Sequence, residues 1–316
     1  MVTTERLQPD AAGIARAAEL LRLGELVAFP TETVYGLGGD ATNAEAVARI
    51  FEAKERPSFN PLIAHVAEVG QATDLIELPE AGKRLASAFW PGPLTLVAPL
   101  KPGVEIAGLA TAGLSTIALR VPASRLANRL LREAGRPVAA PSANPSGGIS
   151  PTRAEHVLNG LGGKFAAVLD GGVCEVGLES TILGFEEDTV VLLRPGGLTV
   201  ERIEDVLGRC LKHFDGTDVT APGQLASHYA PNARVRLNAQ RTNHDELFLT
   251  FGSGDTGDLS LSPTGDLSEA AARLFESLHS LDAQSAGRTI AVAPIPEEGL
   301  GIAINDRLRR AAAPRD

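Results

Sequence analysis

The first two thirds of the chain alternate between the apolar spacing of helices and that of strands. Apolar residues three or four positions apart, often after a capping side chain, predict helices, and short apolar runs predict buried strands. Helices are expected between Asp10 and Gly24, between Asn43 and Pro57, over residues 80–89 and 152–158, and after Thr199 as a cap. Strands are expected at residues 26–29, 62–66, 94–98, 116–121, 138–140, 166–169, 178–184 and 189–194. Mixed elements at this density indicate an α/β or α+β sheet domain over residues 1–212.

The regular pattern stops after residue 212 and then resumes in a smaller unit. Residues 213–231 are rich in turn-forming residues and show no sustained period, which is typical of a linker. Beyond them, the spacing predicts strands at residues 234–237, 246–251 and 289–293 and helices at residues 268–281 and 300–311. Residues 232–316 are therefore interpreted as a small α/β domain, too short for a complete doubly wound dinucleotide fold.

Composition and charge narrow the functional classes. The chain has 316 residues, of which 44% are hydrophobic and 22% charged, as in ordinary globular proteins. Its net charge of −10 disfavours a protein that grips RNA along its surface, because such binding depends on basic residues. Cys174 and Cys210 are too few for a disulfide framework or a four-ligand zinc site. With no visible signal peptide and no apolar run of about 20 residues, a cytoplasmic protein without a membrane partner is expected.

A polar, glycine-rich segment, FPTETVYGLGG at residues 29–39, begins at the end of the first predicted strand. Thr31, Glu32 and Thr33 supply two hydroxyls and a carboxylate beside a turn, a set that suits a small polar ligand. A tight turn with a capping carboxylate explains the same residues equally well. The segment is neither a Walker loop nor a dinucleotide-binding loop, because the required spacings are absent.

Two cations stand at the end of the second predicted helix. Lys54 and Arg56 could clamp a polyphosphate, Arg56 as a planar fork and Lys54 as a point charge. For an isolated pair at a helix C-terminus, solvated side chains that complement the helix dipole are the favoured interpretation.

Two predicted strands carry His65 and Arg120. His65 faces opposite to Leu62, Ala64 and Val66, where a hydrogen-bonded structural role is more common than catalysis. Arg120 requires an anionic partner, from the protein or from a ligand, because an unpaired buried charge is costly. A further polar segment follows a predicted strand at residues 141–150, and two more lie at strand ends, at residues 179–181 and 194–196. The backbone N–H groups of the first could cradle phosphates, but each segment is weak alone.

Taken in chain order, these segments resemble one family. FPTETVYGLG, KERPSFNPLIAHV, WPGPLTLV, STIALRVP, APSANPSG, ESTI, LRPG and APGQLASHYAP closely resemble the threonylcarbamoyl-AMP synthases over nearly the whole chain. The resemblance implies a YrdC-like twisted mixed sheet with helices, a linker that acts as a lid, and a small Rossmann-like α/β C-terminal domain. It implies a nucleotidyltransferase that condenses L-threonine, bicarbonate and ATP into threonylcarbamoyl-AMP with release of pyrophosphate, for threonylcarbamoyladenosine modification of tRNA next to the anticodon.

Two alternatives share the YrdC-like module. Hydrogenase-maturation carbamoyltransferases carry it beside cysteine-rich zinc motifs, and two isolated cysteines argue against that class. A noncatalytic RNA-binding or ribosome-associated protein is the other alternative, which the acidic net charge disfavours.

The family's pattern also implies the site residues. Threonine would contact Thr33, His65, Arg120, Ala140 and Ser180. ATP would be bound by Lys54, Arg56, Asn60, Thr116, Ser142, Asn144, Ser150, Arg194, His228 and Tyr229. Mg²⁺ is expected with ATP, held largely by phosphates and water because no carboxylate cage is evident. The product would pass to a tRNA threonylcarbamoyltransferase complex, and no stable nucleic-acid binding is expected of this chain.

Overall fold

The chain folds into a large mixed sheet and a small parallel sheet, each covered by helices. The structure, a computed structural model, describes residues 3–187, 189–216, 220–253 and 257–314. Within these ranges an eleven-stranded sheet lies before the linker and a four-stranded sheet follows it. The mixed α/β class predicted from the sequence is confirmed. The described part of the chain contains no helix that is long and apolar enough to span a membrane.

The larger unit contains eleven strands and seven helices among the described residues. In chain order they are β1 (Glu5–Leu7), α1 (Ala11–Arg22), β2 (Val27–Pro30), β3 (Tyr35–Asp40), α2 (Ala44–Lys54), β4 (Ile63–His65), α3 (Val69–Leu75), α4 (Glu80–Phe89), β5 (Leu94–Pro99), β6 (Thr116–Arg120), α5 (Arg125–Ala134), β7 (Val138–Ala139), α6 (Ala154–Leu161), β8 (Ala167–Leu169), β9 (Thr181–Glu186), β10 (Thr189–Arg194), α7 (Val200–Leu207) and β11 (Lys212–His213). The strand order is β1-β8-β2-β3-β7-β4-β6-β5-β9-β10-β11.

Local sequence signals explain where several helices begin. The Asp10 side chain accepts a hydrogen bond from the Gly13 N–H at 2.8 Å, and Asn43 caps α2 through the N–H groups of its first turn. Each cap satisfies donors that a helix N-terminus otherwise leaves free, as the sequence predicts. The expected cap at Thr199 is wrong, because that side chain makes no capping hydrogen bond to α7.

Several elements were not predicted. β3 occupies residues that the sequence suggested were a glycine-rich turn, and it pairs antiparallel with β2 as a hairpin. Its glycines suit close packing: a Cβ on Gly38 would lie 2.7 Å from the Phe29 ring and 2.9 Å from Val138. The short strands β1 and β11 and the helices α3 and α5 were also missed.

Helices pack against both faces of the large sheet, and the residues of β2 show how the sequence determines this packing. Val27 and Phe29 pack with helices α1 and α5, whereas Leu26 and Ala28 belong to the cluster on the face of α2 and α4. Successive side chains of a strand point to opposite faces, so a strand covered on both sides is apolar throughout.

The pairing of β4 and β6 positions the polar residues at one edge. These strands run parallel, and His65 is the register partner of Arg120. Both residues are the last of their strands, and the loop at residues 31–34 that joins β2 to β3 lies against them. Side chains far apart in sequence therefore meet at one end of the sheet.

The smaller unit contains β12 (Val235–Arg236), β13 (Glu246–Thr250), β14 (Leu259–Ser260), α8 (Leu267–Gln284), β15 (Thr289–Val292) and α9 (Leu300–Ala312). Its parallel sheet has the order β12-β15-β13-β14, and the sequence missed only β14 among these elements. The hydrophobic cluster under α8 and α9 also takes in Val34, Ile149, Leu178 and Tyr229 from the rest of the chain.

The two units approach closely at one glycine. Gly177 has φ +71°, and a Cβ there would lie 2.5 Å from the Ala272 Cα of α8. Only glycine tolerates both the positive φ and this backbone approach. The limits of the predicted domains stay a prediction; β11 extends to His213, and residues 217–219 of the predicted linker lie outside the described residues.

Candidate active site

A small cavity lies where the ends of β4 and β6 meet the linker. Its volume is about 50 Å³, which is room for a few water molecules. The walls come from the loop after β2, from β4 and β6, from the loops after β7 and β8, and from the linker. Ten of the residues expected to bind ligands line it: Thr33, Arg56, His65, Arg120, Ala140, Ser142, Ser180, Arg194, His228 and Tyr229.

Arg120 is held rigidly at the cavity wall. It is 3% exposed, and its guanidinium donates to a Glu32 carboxylate oxygen, to Thr33 Oγ1 at 2.8 Å and to the Gly92 carbonyl at 3.2 Å. Burial alone would raise the pKa of Glu32, but the adjacent Arg120 outweighs it and lowers that pKa. Arg120 thus has the protein partner that the sequence required. The three bonds use three of its five N–H donors, which leaves two for a ligand.

His65 stands beside Arg120 and is neutral. Burial, reinforced by the positive charge of Arg120, lowers its pKa to about 3. Its Nδ1 atom is buried and has no hydrogen-bond partner within the described part of the chain. The unpartnered nitrogen of a neutral imidazole can accept a hydrogen bond from a hydroxyl or an ammonium group. The purely structural role favoured from the sequence does not account for this free nitrogen.

Lys54 is buried rather than solvated. It is 1% exposed, and its Nζ donates to the carbonyl oxygens of Ser142 and Asn144. The sequence interpretation of two solvated cations is therefore wrong for this residue, because the loop after β7 folds across the end of α2. Burial and the nearby Arg56 lower the pKa of Lys54 well below its usual value. Lys54 fixes the loop and does not line the cavity.

Two more guanidinium groups face the cavity. Arg56 is half-buried and donates to Asn60 Oδ1 at 2.6 Å and to the Pro61 carbonyl at 2.8 Å. Arg194 is buried and donates to the Ser180 carbonyl at 2.9 Å. Burial lowers the pKa of Arg56 to about 10, which still leaves it charged at neutral pH. The cavity is thus a basic site in an acidic protein and would attract an anionic ligand.

The linker forms one side of the cavity. Pro222, Gly223, His228 and Tyr229 line it, and Ala230 N–H bonds the Gly147 carbonyl at 2.9 Å. Burial, together with the surrounding cations, lowers the pKa of His228 well below its usual value. The Tyr229 hydroxyl is buried and lacks a hydrogen-bond partner within the described residues. The linker is thus closed over a site that contains two neutral imidazoles and an unsatisfied phenol.

Five residues expected to bind ATP lie outside this cavity. Lys54 and Asn60 support it from behind, and Ser150 donates to Glu179. Asn144 lines a second cavity of about 620 Å³ on the other side of the loop, and Thr116 begins the strand that Arg120 ends. All fifteen ligand assignments remain predictions.

Sequence reasoning missed two charged residues at the site. Glu179 is buried at the cavity wall and pairs with Arg307 of α9, whose side chain is fully buried. The predicted strand end at Glu179 gave only a weak signal. The sequence signal for Arg307 is clearer, because this residue shares the buried face of α9 with Ala303, Ile304 and Leu308. A cation on the apolar face of a helix requires a partner.

Two family models match consecutive parts of the chain. The model described as "Telomere recombination" (Sua5_yciO_yrdC) matches residues 19–196. The model described as "Threonylcarbamoyl-AMP synthase, C-terminal domain" matches residues 198–313. Together they span most of the large sheet, the linker and the small sheet.

Curated relatives and a solved structure are similar along almost their whole length. The threonylcarbamoyl-AMP synthase of Bacillus subtilis (strain 168) is 43% identical over 337 residues, covering 99% of this chain and 96% of the relative. That of Pyrococcus abyssi (strain GE5 / Orsay) is 44% identical, covering 95% and 94%. The crystal structure of P. abyssi Sua5 complexed with L-threonine matches with a TM-score of 0.88 and 40% identity, covering 99% of this chain and 97% of that one.

Proposed function

The chain belongs to the threonylcarbamoyl-AMP synthase family, and from that premise we propose how its cavity performs the synthesis. The chain is an enzyme that makes threonylcarbamoyl-AMP and uses threonine and ATP as substrates. The carbamoyl carbon of the product is proposed to come from bicarbonate. The observation that carries the proposal is Arg120, which is buried at the cavity, fixed by Glu32, and left with two donors.

Threonine is proposed to lie at the end of β4 and β6. The two remaining N–H groups of Arg120 would bind its α-carboxylate as a fork, the geometry in which guanidinium and carboxylate fit best. The free Nδ1 of His65 would accept a hydrogen bond from the ammonium or the hydroxyl group. Thr33 and Ser180, which both line the cavity, would supply hydroxyls to the remaining polar atoms.

ATP is proposed to lie between the loop after β7 and the linker. Arg56 and Arg194 would face its phosphates, and Lys54 would hold the loop that carries Ser142. In this arrangement fixed cations offset the negative charge that develops on the leaving pyrophosphate. His228 and Tyr229 would cover the nucleotide from the linker side.

The chemistry requires positioning more than proton transfer. The threonine amine adds to the bicarbonate carbon, a water molecule leaves, and an N-carboxylated threonine results. A carbamate oxygen then attacks the α-phosphorus of ATP, the bond to the β-phosphate oxygen breaks, and pyrophosphate leaves. Holding the unstable carbamate in line with the α-phosphate is the main task of the site.

Magnesium is proposed to enter with ATP. Within the described residues, no group of three or more His, Cys, Asp or Glu side chains could hold a metal ion. Glu179, which lines the cavity, and Glu32, which lies behind Arg120, are both paired with arginines. A divalent cation bound mainly by phosphate oxygens and water fits this donor set, and it would neutralise phosphate charge.

The linker is proposed to open and close during each cycle. A cavity of about 50 Å³ cannot hold ATP and threonine together, so the linker must move away for them to enter. Its closure would then keep water from the carbamate and from the mixed anhydride product. The product would pass to proteins that transfer the threonylcarbamoyl group to tRNA.

Pyrophosphate release tests the proposed reaction. We expect release only when ATP, L-threonine and bicarbonate are all present, and we expect no requirement for tRNA, because the product forms before any transfer. The measurement is coupled detection of pyrophosphate in CO₂-depleted buffer, with each substrate omitted in turn. Equal release without threonine, or release that appears only with tRNA, would contradict the proposal.

A further inference from the structure

Two side chains of the C-terminal unit contact the ring of Tyr229. Phe275 of α8 stacks on it, with ring centroids 5.8 Å apart and planes inclined by 27°. The guanidinium carbon of Arg307, on α9, lies 4.9 Å from the centroid of the same ring. Tyr229 is 1% exposed. Both of these contacts come from the C-terminal unit, although Tyr229 itself lines the cavity.

Arg307 is itself fixed across the boundary between the two units. Its Nε donates to Glu179 at 2.8 Å and its Nη2 to the Pro195 carbonyl at 2.9 Å, both in the larger unit. Its Nη1 bonds the adjacent Asp306 at 2.6 Å. A fully buried guanidinium with three acceptors has one orientation available, so it can fix the ring on which it rests.

Tyr229 needs such support because its local conformation is unfavourable. Its φ is +61°, a region that residues with a Cβ seldom occupy. Its hydroxyl is buried at the cavity without a partner in the described part of the chain. A residue held in this state persists only when its surroundings determine its position.

We propose that Arg307 and Phe275 form a tyrosine clamp that positions Tyr229 over the reacting groups. The C-terminal unit thereby contributes to the reaction without touching substrate: it keeps the linker closed and the phenol hydroxyl aimed at the cavity. Arg307 is a positioning residue that acts through Tyr229. This inference rests on the proposed function of the cavity.

A double-mutant cycle tests whether Arg307 acts through Tyr229. The variants are Arg307→Met, Tyr229→Ala and the double variant, and the readout is kcat/KM for pyrophosphate release. We expect each single variant to lose about 10- to 30-fold, since the clamp includes a desolvated cation–π contact. We expect the double variant to lose no more than Tyr229→Ala alone, because the clamp then has nothing to hold. Losses that multiply would overturn the proposal.

Two further variants distinguish loss of the clamp from loss of folding. Phe275→Leu keeps the ion pairs of Arg307 and removes only the stacked ring. We expect it to lower kcat/KM less than Arg307→Met does, and to have no further effect on kcat/KM when Tyr229 is already replaced by alanine. Arg309→Met is the matched control on α9, because Arg309 is exposed and pairs with Glu297 at the surface. Thermal unfolding of every variant establishes that it is folded.

A conservative variant separates a positioning role from a merely structural one. Arg307→Lys keeps the charge but not the planar group, and it should recover only part of the activity that Arg307→Met loses. Full recovery would mean that charge alone matters and would contradict the clamp. If wild-type protein shows threonine-dependent release but the cycle is multiplicative, the clamp is wrong; if wild type shows none, the proposed function itself fails.

Discussion

Replacing Arg120 by lysine is expected to weaken threonine binding about 5- to 150-fold, the loss that a charged hydrogen-bond pair of about 1–3 kcal/mol produces. Lysine keeps a positive charge next to Glu32 but lacks the planar fork that can hold Thr33 and a carboxylate at once. ATP affinity should change little, because the proposed phosphate contacts come from Arg56 and Arg194 and not from Arg120. Isothermal titration of each substrate measures both effects.

Arg136→Lys is the matched control for this variant. Arg136 is exposed and pairs with Asp40 at 2.7 Å, and it does not line the cavity. The same chemical change there should alter neither affinity. Equal losses of ATP and threonine affinity in Arg120→Lys would show that Arg120 maintains the structure of the whole site instead of recognising threonine.

Replacing Gly223 by alanine is expected to lower kcat/KM about a hundredfold, the size of effect that a displacement of about 1 Å near reacting groups can cause. Gly223 has φ +87°, and a Cβ there would lie 2.8 Å from the Arg194 Cδ and 2.8 Å from the Tyr229 hydroxyl. The backbone at Gly223 would have to shift away from Arg194, and the Tyr229 hydroxyl would be displaced within the linker. Steady-state pyrophosphate release measures the loss.

Gly103→Ala separates this displacement from backbone strain. Gly103 is exposed with φ +79°, but a Cβ there would meet no heavy atom within 4 Å. Both substitutions carry a left-handed-region penalty of about 1–2 kcal/mol in stability, and only Gly223→Ala should lose activity. Similar activity losses in the two variants would show that the close approach of Gly223 to Arg194 and Tyr229 does not matter.

Local patterns predicted much of the fold. The period of apolar residues located α2 and its Asn43 cap, and the exact span of α4 followed from the same spacing. The positions of His65 and Arg120 on buried strands were also predicted, since a polar side chain in an apolar run is visible without tertiary information. Their meeting at one sheet edge depends on the parallel pairing of β4 and β6.

Long-range contacts explain what the sequence could not supply. The position of Lys54 at a helix end favours a solvated cation. In the structure, however, the loop after β7 covers its side chain and accepts its hydrogen bonds. Residues 35–40 look like a turn because glycines are frequent there, yet tight packing against Phe29 makes them a strand. Arg307 joins Glu179 across 128 positions of sequence, a pairing that local spacing does not contain.

The most direct test of the central claim is the fate of labelled bicarbonate. Wild-type protein would be incubated with ATP, L-threonine and ¹³C-bicarbonate in CO₂-depleted buffer, and the quenched products identified by mass spectrometry. We predict threonylcarbamoyl-AMP that is heavier by one carbon-13, formed together with pyrophosphate. Unlabelled product, or threonyl-AMP formed without bicarbonate, would contradict the account, because the cavity would then activate the threonine carboxylate that Arg120 is proposed to bind.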